Sequence, residues 1–212
     1  MPLIVLEGPE GAGKTTQIAL LAKRLASRGR VVSLREPGGT PLGDEIRRVL
    51  LDPKSDVSPR AEALLYMASR AQLVEREVQP ALAASAIVLL DRFFLSTYAY
   101  QVAGRGLPEA HVVSANRLAT ADLRPDLTIL LSLPVEEGLA RAKSRGPHDR
   151  IEQADAAFHR RVAQAFGEFA TPAWQASHPE AGPVVTVDAR GSIDDVAARL
   201  FAAVSAKLPA LG

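Results

Sequence analysis

The chain has 212 residues, 47% of them hydrophobic, enough to bury a substantial core in one domain spanning residues 1–212. Lys and Arg number 25 against 24 Asp and Glu, a formal net charge of +1, which gives no global electrostatic case for a nucleic-acid partner. Cysteine is absent, which excludes disulfides and thiolate metal sites and fits a reducing compartment. No basic-plus-apolar leader precedes the first apolar run, and no run reaches roughly 18 residues, so a cytoplasmic protein with no membrane partner is expected.

The first predicted strand is Leu3–Leu6. It runs into Gly8–Thr16, GPEGAGKTT, and then into a helix from Thr15 to Ser27 closed by Gly29. A second strand, Val31–Leu34, is followed by the polar turn Arg35–Thr40. Ser58 and Pro59 read as N-cap and first residue of a long helix reaching about Ala84. The third strand, Ile87–Leu90, ends in Asp91 and Arg92, and the fourth is Leu127–Leu133. Between Asp155 and Ser177, the residues Phe158, Val162, Ala165, Phe166 and Phe169 recur at helical spacing and read as core. The fifth strand is Val184–Val187, and Ser192 to Asp195 has the form of a capping box opening a last helix. Strands alternating with helices predict an α/β fold: a parallel sheet covered on both faces, with ligands bound beyond the strand C-terminal ends.

GPEGAGKTT is the phosphate-binding pattern G-x-x-x-x-G-K-[ST] in its strand–loop–helix setting. Its glycines let successive backbone N–H groups turn toward phosphate oxygens, and the helix start adds a positive end. The pattern predicts a nucleoside triphosphate held by Gly8, Pro9, Glu10, Gly11, Ala12, Gly13, Lys14, Thr15 and Thr16. Lys14 is expected to bridge the terminal phosphates, and the Thr15 hydroxyl to ligate Mg²⁺. Asp91, ending a buried strand, is the second candidate for the metal or its waters. Arg92 beside it can grip an acceptor phosphate bidentately.

A phosphate loop alone fits many machines, and the remaining blocks narrow it. After GPEGAGKTT come REPGGT (Arg35–Thr40), GDEIRRVLL (Gly43–Leu51), EALLYMASRAQ (Glu62–Gln72), DRFFLSTYAYQ (Asp91–Gln101) and SRGPHDRIEQAD (Ser144–Asp155). In this order, and over nearly the whole chain, they resemble the bacterial thymidylate kinases, members of the nucleoside monophosphate kinase group. The resemblance implies a three-layer P-loop kinase fold: a five-stranded parallel sheet flanked by helices, with a lid at about residues 141–155. It implies Mg²⁺-dependent transfer from ATP to dTMP, giving ADP and dTDP, with ATP and dTMP as small-molecule partners, and a homodimer. The acceptor would be held by Glu36, Pro37, Arg47, Tyr66, Arg70, Arg92, Thr97, Tyr100 and Gln101. Tyr66 matches the ring that stacks on thymine, often Phe in the family. Arg70 would donate to a base carbonyl, and Tyr100 would pack under the sugar where a 2′-hydroxyl would go. Arg48 points about 100° away from Arg47 around the helix and is expected to face solvent. Glu10 matches the acidic residue near the sugar 3′-hydroxyl. The Glu36–Pro37 bond is a candidate cis peptide.

No basic residue occupies the loop positions Pro9 to Ala12, so the charge on the transferring phosphoryl must be neutralised from elsewhere. Arg141, Lys143, Arg145 and Arg150 supply cations in a segment containing Gly146 and Pro147. Arg145 and Arg150 are expected at the phosphates, with Lys14, Arg92 and Glu10 completing the catalytic set, and Arg141 against the adenine. Ser132 stands where the family often ends its fourth strand in Asp, and the Asp188–Gly191 loop is expected near the adenine. Two other readings are another nucleotide or nucleoside kinase, and a P-loop regulatory ATPase.

Overall fold

A computed structural model describes residues 1–143 and 149–212. Five parallel strands, β1 (Leu3–Glu7), β2 (Val31–Arg35), β3 (Ile87–Asp91), β4 (Leu127–Ser132) and β5 (Val184–Asp188), form one sheet in the order β2-β3-β1-β4-β5. Each expected strand is present, to within a residue or two at its ends. β1 is buried throughout, because side chains alternate between two covered faces. Ile4 and Leu6 meet Ile18, Leu21 and Leu25 of α1 (Lys14–Leu25) and Val196, Leu200 and Val204 of the last helix. Leu3 and Val5 join the opposite cluster, which includes Leu73, Phe94, Tyr98, Phe158, Phe166 and Phe169.

The remaining helices are α2 (Pro41–Leu51), α3 (Pro59–Leu73), α4 (Gln79–Ala83), α5 (Phe94–Thr97), α6 (Glu109–Thr120), α7 (Val135–Lys143), α8 (Ala156–Phe169), α9 (Pro172–Ser177) and α10 (Ile193–Lys207). The long helix expected from Ser58 to Ala84 is interrupted by a π-helical turn, Val74–Val78, between α3 and α4. Ser58 sits at the N-cap position, but its side chain makes no capping hydrogen bond, and Pro59 alone sets the helix start. A second π-helical turn, Tyr98–Gly104, follows α5 and packs against α8. The capping box at Ser192 and Asp195 is formed in full.

Two devices seat the strand-end loops. Glu7, at the end of β1, is fully buried, and its Oε1 accepts from the backbone N–H groups of Phe93 (2.7 Å) and Ser96 (3.1 Å). That fixes the loop after β3 relative to β1. Gly39 N–H donates to Asp44 Oδ1 (3.1 Å) and Gly38 N–H to Ser69 Oγ (3.0 Å), holding the REPGG turn on α2 and α3. The Glu36–Pro37 bond within it is cis.

Candidate active site

The loop after β1 curls through Gly8, Gly11 and Gly13, all at positive φ. Glycine is required here by space as well. A Cβ on Gly8 would stand 2.5 Å from the Leu131 carbonyl, and one on Gly138 of α7 would stand 2.5 Å from the Glu10 carbonyl. The phosphate loop therefore lies backbone to backbone against α7.

Lys14 is buried, and its Nζ donates to the Gly8 and Pro9 carbonyls, at 2.9 Å each. Burial, with Arg92 nearby, lowers its pKa from 10.5 to about 8. The Lys14 ammonium is poised, and its titration has two consequences of opposite sign. ATP affinity is expected to fall as pH rises through about 8, because the cation is lost. Between about 8 and 10.5 the unfolded chain binds the extra proton, so this group makes the nucleotide-free protein more stable as pH rises. Titration of ATP binding and of urea stability across this window checks both, and Lys14→Met should abolish both slopes.

Thr15 Oγ1 donates to Asp91 Oδ2 at 2.8 Å, joining the phosphate loop to the end of β3. These are two hard oxygen donors at the mouth of a helix N-terminus, a set that suits Mg²⁺ carrying waters and phosphate oxygens. Among the described residues no cluster of three or more His, Asp or Glu forms a metal cage.

A cavity of about 340 Å³ opens beyond the C-terminal ends of β1, β2 and β3. It brings together Glu10, Gly11, Gly13, Lys14, Thr15 and Thr16 with the expected acceptor residues Glu36, Pro37, Arg47, Tyr66, Arg70, Arg92, Thr97, Tyr100 and Gln101. Arg92 adopts φ 71°, a left-handed conformation costly for a side chain of this size. It donates through Nη1 to Gly8 O (3.2 Å) and Ser96 Oγ (2.8 Å), and through Nη2 to Glu10 Oε1. Its guanidinium also lies 5.4 Å from the centroid of the Tyr100 ring. Tyr100 O–H donates to the same Glu10 oxygen at 3.2 Å, so the Glu10 carboxylate has both a cation and a hydroxyl beside it. Burial raises the Tyr66 and Tyr100 pKa values, so both hydroxyls stay protonated.

Arg47 donates to the Pro37 carbonyl (3.0 Å), and burial followed by repulsion from Arg35 lowers its pKa. Arg35, Arg47 and Arg92 all line the cavity, and cations converge in this way where an anion is to be held. Arg48 turns outward to Glu45, as expected.

Arg70 reaches the cavity, but its guanidinium is engaged within the protein through each of its three nitrogens. Nε and Nη2 bind Glu36 Oε2 (2.8 and 2.6 Å), Nη2 also binds Phe93 O (2.9 Å), and Nη1 binds Thr97 Oγ1 (2.9 Å) and Asn116. A base carbonyl would have to displace one of these partners. Burial raises the Glu36 pKa despite Arg70, and Glu36 Oε1 is buried without a partner.

On α7, Arg141 pairs with Glu137 and donates to the Ala189 carbonyl at 3.2 Å, which joins α7 to the loop after β5. Arg145 lies outside the described residues. Arg150, expected at the phosphates, is engaged with α2 and α3 in this structure. Its Nε donates to Leu50 O (2.8 Å) and its Nη2 to Glu62 Oε2 (2.7 Å), at a fully buried carboxylate that cannot cheaply surrender a cation. Arg150 thus ties the chain at residues 149–151 to α2 and α3. Arg150→Ala is expected to cost about 1–3 kcal/mol of stability and to change kcat less than tenfold. A kcat loss of about 10³ or more at unchanged stability would return it to the phosphates.

Sequence reasoning passed over Glu7, Glu62, Ser96, Arg105 and Asn116. The available signal was a carboxylate within an otherwise apolar stretch: Glu7 ends β1, and Glu62 stands on the inner face of α3.

The sequence profile described as thymidylate kinase matches residues 6–199. A thymidylate kinase of Deinococcus radiodurans is 49% identical over 203 residues, covering 95% of each chain. A thymidylate kinase of a Synechococcus strain is 50% identical over 209 residues, covering 97% of this chain and 95% of its own. Among solved structures, a thymidylate kinase from Ehrlichia chaffeensis superposes with a TM-score of 0.74 at 29% identity, over 96% of this chain and 98% of that one. By profile, by identity and by fold, the chain belongs to the thymidylate kinase family.

Proposed function

We propose that this protein transfers the terminal phosphoryl of ATP to dTMP, giving ADP and dTDP. The observation that carries the reading is the single cavity in which the phosphate loop and the Thr15–Asp91 pair face Arg35, Arg47 and Arg92 and the Tyr66–Gln101 pocket. Lys14, now capping two loop carbonyls, exchanges them for phosphate oxygens. Arg92 holds the acceptor phosphate and, with Tyr100, keeps Glu10 beside the sugar. Tyr66 stacks on the base, while Thr97 and Gln101 give its pocket polar walls. The Tyr100 ring packs against Phe158 and Phe166, which leaves it little freedom to yield to a 2′-hydroxyl. Thr15 and Asp91 hold Mg²⁺, which when bound supplies charge neutralisation at the phosphate oxygens. Arg141 lies against the adenine, and Arg145 brings the lid's charge to the transferring phosphoryl.

The same reading includes a homodimer and a cytoplasmic place. Exposed Leu42 and Val49 on α2, Leu64 on α3 and Leu118 on α6 support the first, since α2 packs on α3 and α3 on α6. The lack of cysteine supports the second, and among the described residues no helix is long and apolar enough to cross a membrane. Steady-state ADP release with and without dTMP tests the transferase reading. Release should depend on the acceptor, because acceptor binding drives the closure that assembles the catalytic groups and expels water. Equal release without acceptor would favour a regulatory ATPase instead.

A further inference from the structure

Glu62 lies on α3, fully buried and outside the residues that line the cavity. Its Oε1 accepts from Gln101 Nε2 (3.0 Å) and Arg105 Nε (3.0 Å), and its Oε2 from Arg105 Nη2 (2.9 Å) and Arg150 Nη2 (2.7 Å). Arg105 thus grips both oxygens as a fork, and four donors saturate the group. Burial alone would raise the Glu62 pKa, but Arg105, Arg150 and Gln101 outweigh it and hold the carboxyl below its ordinary value. Glu62 is a permanent anion at the back of the base pocket.

A carboxylate can accept hydrogen bonds and cannot donate them. The two ends of a glutamine amide are nearly equal in shape, so charge alone decides which end faces which neighbour. Facing Glu62, Gln101 has to present Nε2, since its Oε1 would meet a second acceptor at full charge. Gln101 is 1% exposed and lines the cavity, and its Oε1 makes no hydrogen bond to any described residue. The amide therefore stands with its acceptor end uncommitted and its donor end tied. A keto pyrimidine donates at N3, whereas a 4-amino pyrimidine presents a lone pair there. An untethered glutamine could turn over and serve either base.

We infer that Glu62 is a positioning residue for base selection: by locking the Gln101 amide with Oε1 free, it makes the site accept a pyrimidine that donates at N3 and refuse one that accepts there. The inference rests on the dTMP reading above. It assigns specificity to a side chain that touches no substrate.

The test compares kcat/KM for dTMP and for 5-methyl-dCMP, which share sugar, phosphate and methyl group and differ only at N3 and the 4-substituent. The unaltered enzyme should prefer dTMP by at least about 100-fold, as a site built around a hydrogen bond does. In Glu62→Gln the new amide can donate to Gln101 Oε1 as readily as it accepts from Nε2, so that preference should fall about tenfold or more. Simple structural damage would lower turnover on both substrates and leave their ratio alone. Should Glu62→Gln fail to fold, Glu62→Asp keeps the charge between the arginines, withdraws the acceptor by one methylene and carries the same expectation. A ratio within threefold of the unaltered enzyme in the folded variant would overturn the inference. So would an unaltered enzyme that phosphorylates dTMP and 5-methyl-dCMP alike. An enzyme inert toward dTMP would overturn the underlying reading, and the inference with it, and absence of dTMP turnover distinguishes that failure.

Discussion

An Arg92→Lys enzyme is expected to lose about 10²–10³ in kcat/KM for dTMP while its KM for ATP stays within about threefold, the loss typical of removing one preorganised donor. Lysine keeps the charge and the same non-glycine backbone, so the left-handed φ of 71° is preserved. What it loses is the planar fork. Arg92 spans Gly8 O, Ser96 Oγ and Glu10 at once, and a single ammonium on a flexible stem cannot hold that frame and meet a phosphate together. The strained backbone is consistent with selection for position over stability. Steady-state kinetics with varied dTMP decides the matter, and a loss below tenfold would remove Arg92 from the acceptor phosphate.

The second large effect is on folding. Arg70→Met is expected to destabilise the protein by about 3–5 kcal/mol, the range for stripping one partner from a buried ion pair. Arg70 and Glu36 are 2% and 5% exposed, so neither charge has water to fall back on. Without Arg70, Glu36 stays buried with one oxygen already unpartnered, and Thr97, Asn116 and Phe93 O lose their donor. Adding Glu36→Gln should restore a large part of the loss, because it removes the stranded charge. Urea unfolding of the single and double variants measures this. A single-variant cost under 1 kcal/mol would contradict the burial argument.

The sheet was legible from sequence because its three central strands, β1, β3 and β4, are apolar runs cut off by polar residues, as burial on both faces demands. The half-exposed edge strands β2 and β5 were legible from shorter apolar stretches between turns. The phosphate loop and the Asp91–Arg92 pair were legible because their chemistry is local. What sequence could not supply was the partner of each long polar side chain. Glu62 meets Gln101, Arg105 and Arg150 from 39, 43 and 88 residues away, and nothing near Glu62 in the chain announces those contacts. The partners of Arg150 were hidden for the same reason: nothing around it in the sequence points to the buried Glu62 carboxylate. The π-helical turns at Val74–Val78 and Tyr98–Gly104 also escaped, since one extra residue per turn leaves helical spacing almost unchanged over so short a run.

On the proposed reading, one cavity aligns ATP with the monophosphate of thymine deoxyribonucleotide. Coupled ADP release should be measured with MgATP against dTMP, dUMP, ribosyl TMP, dCMP, AMP and free thymidine. Strong turnover on dTMP, less on dUMP and little on the ribosyl form, dCMP, AMP or thymidine is the predicted result. A preference for AMP or for free thymidine would leave the phosphate loop in place but remove the acceptor from the pocket of Arg92, Tyr100 and Gln101.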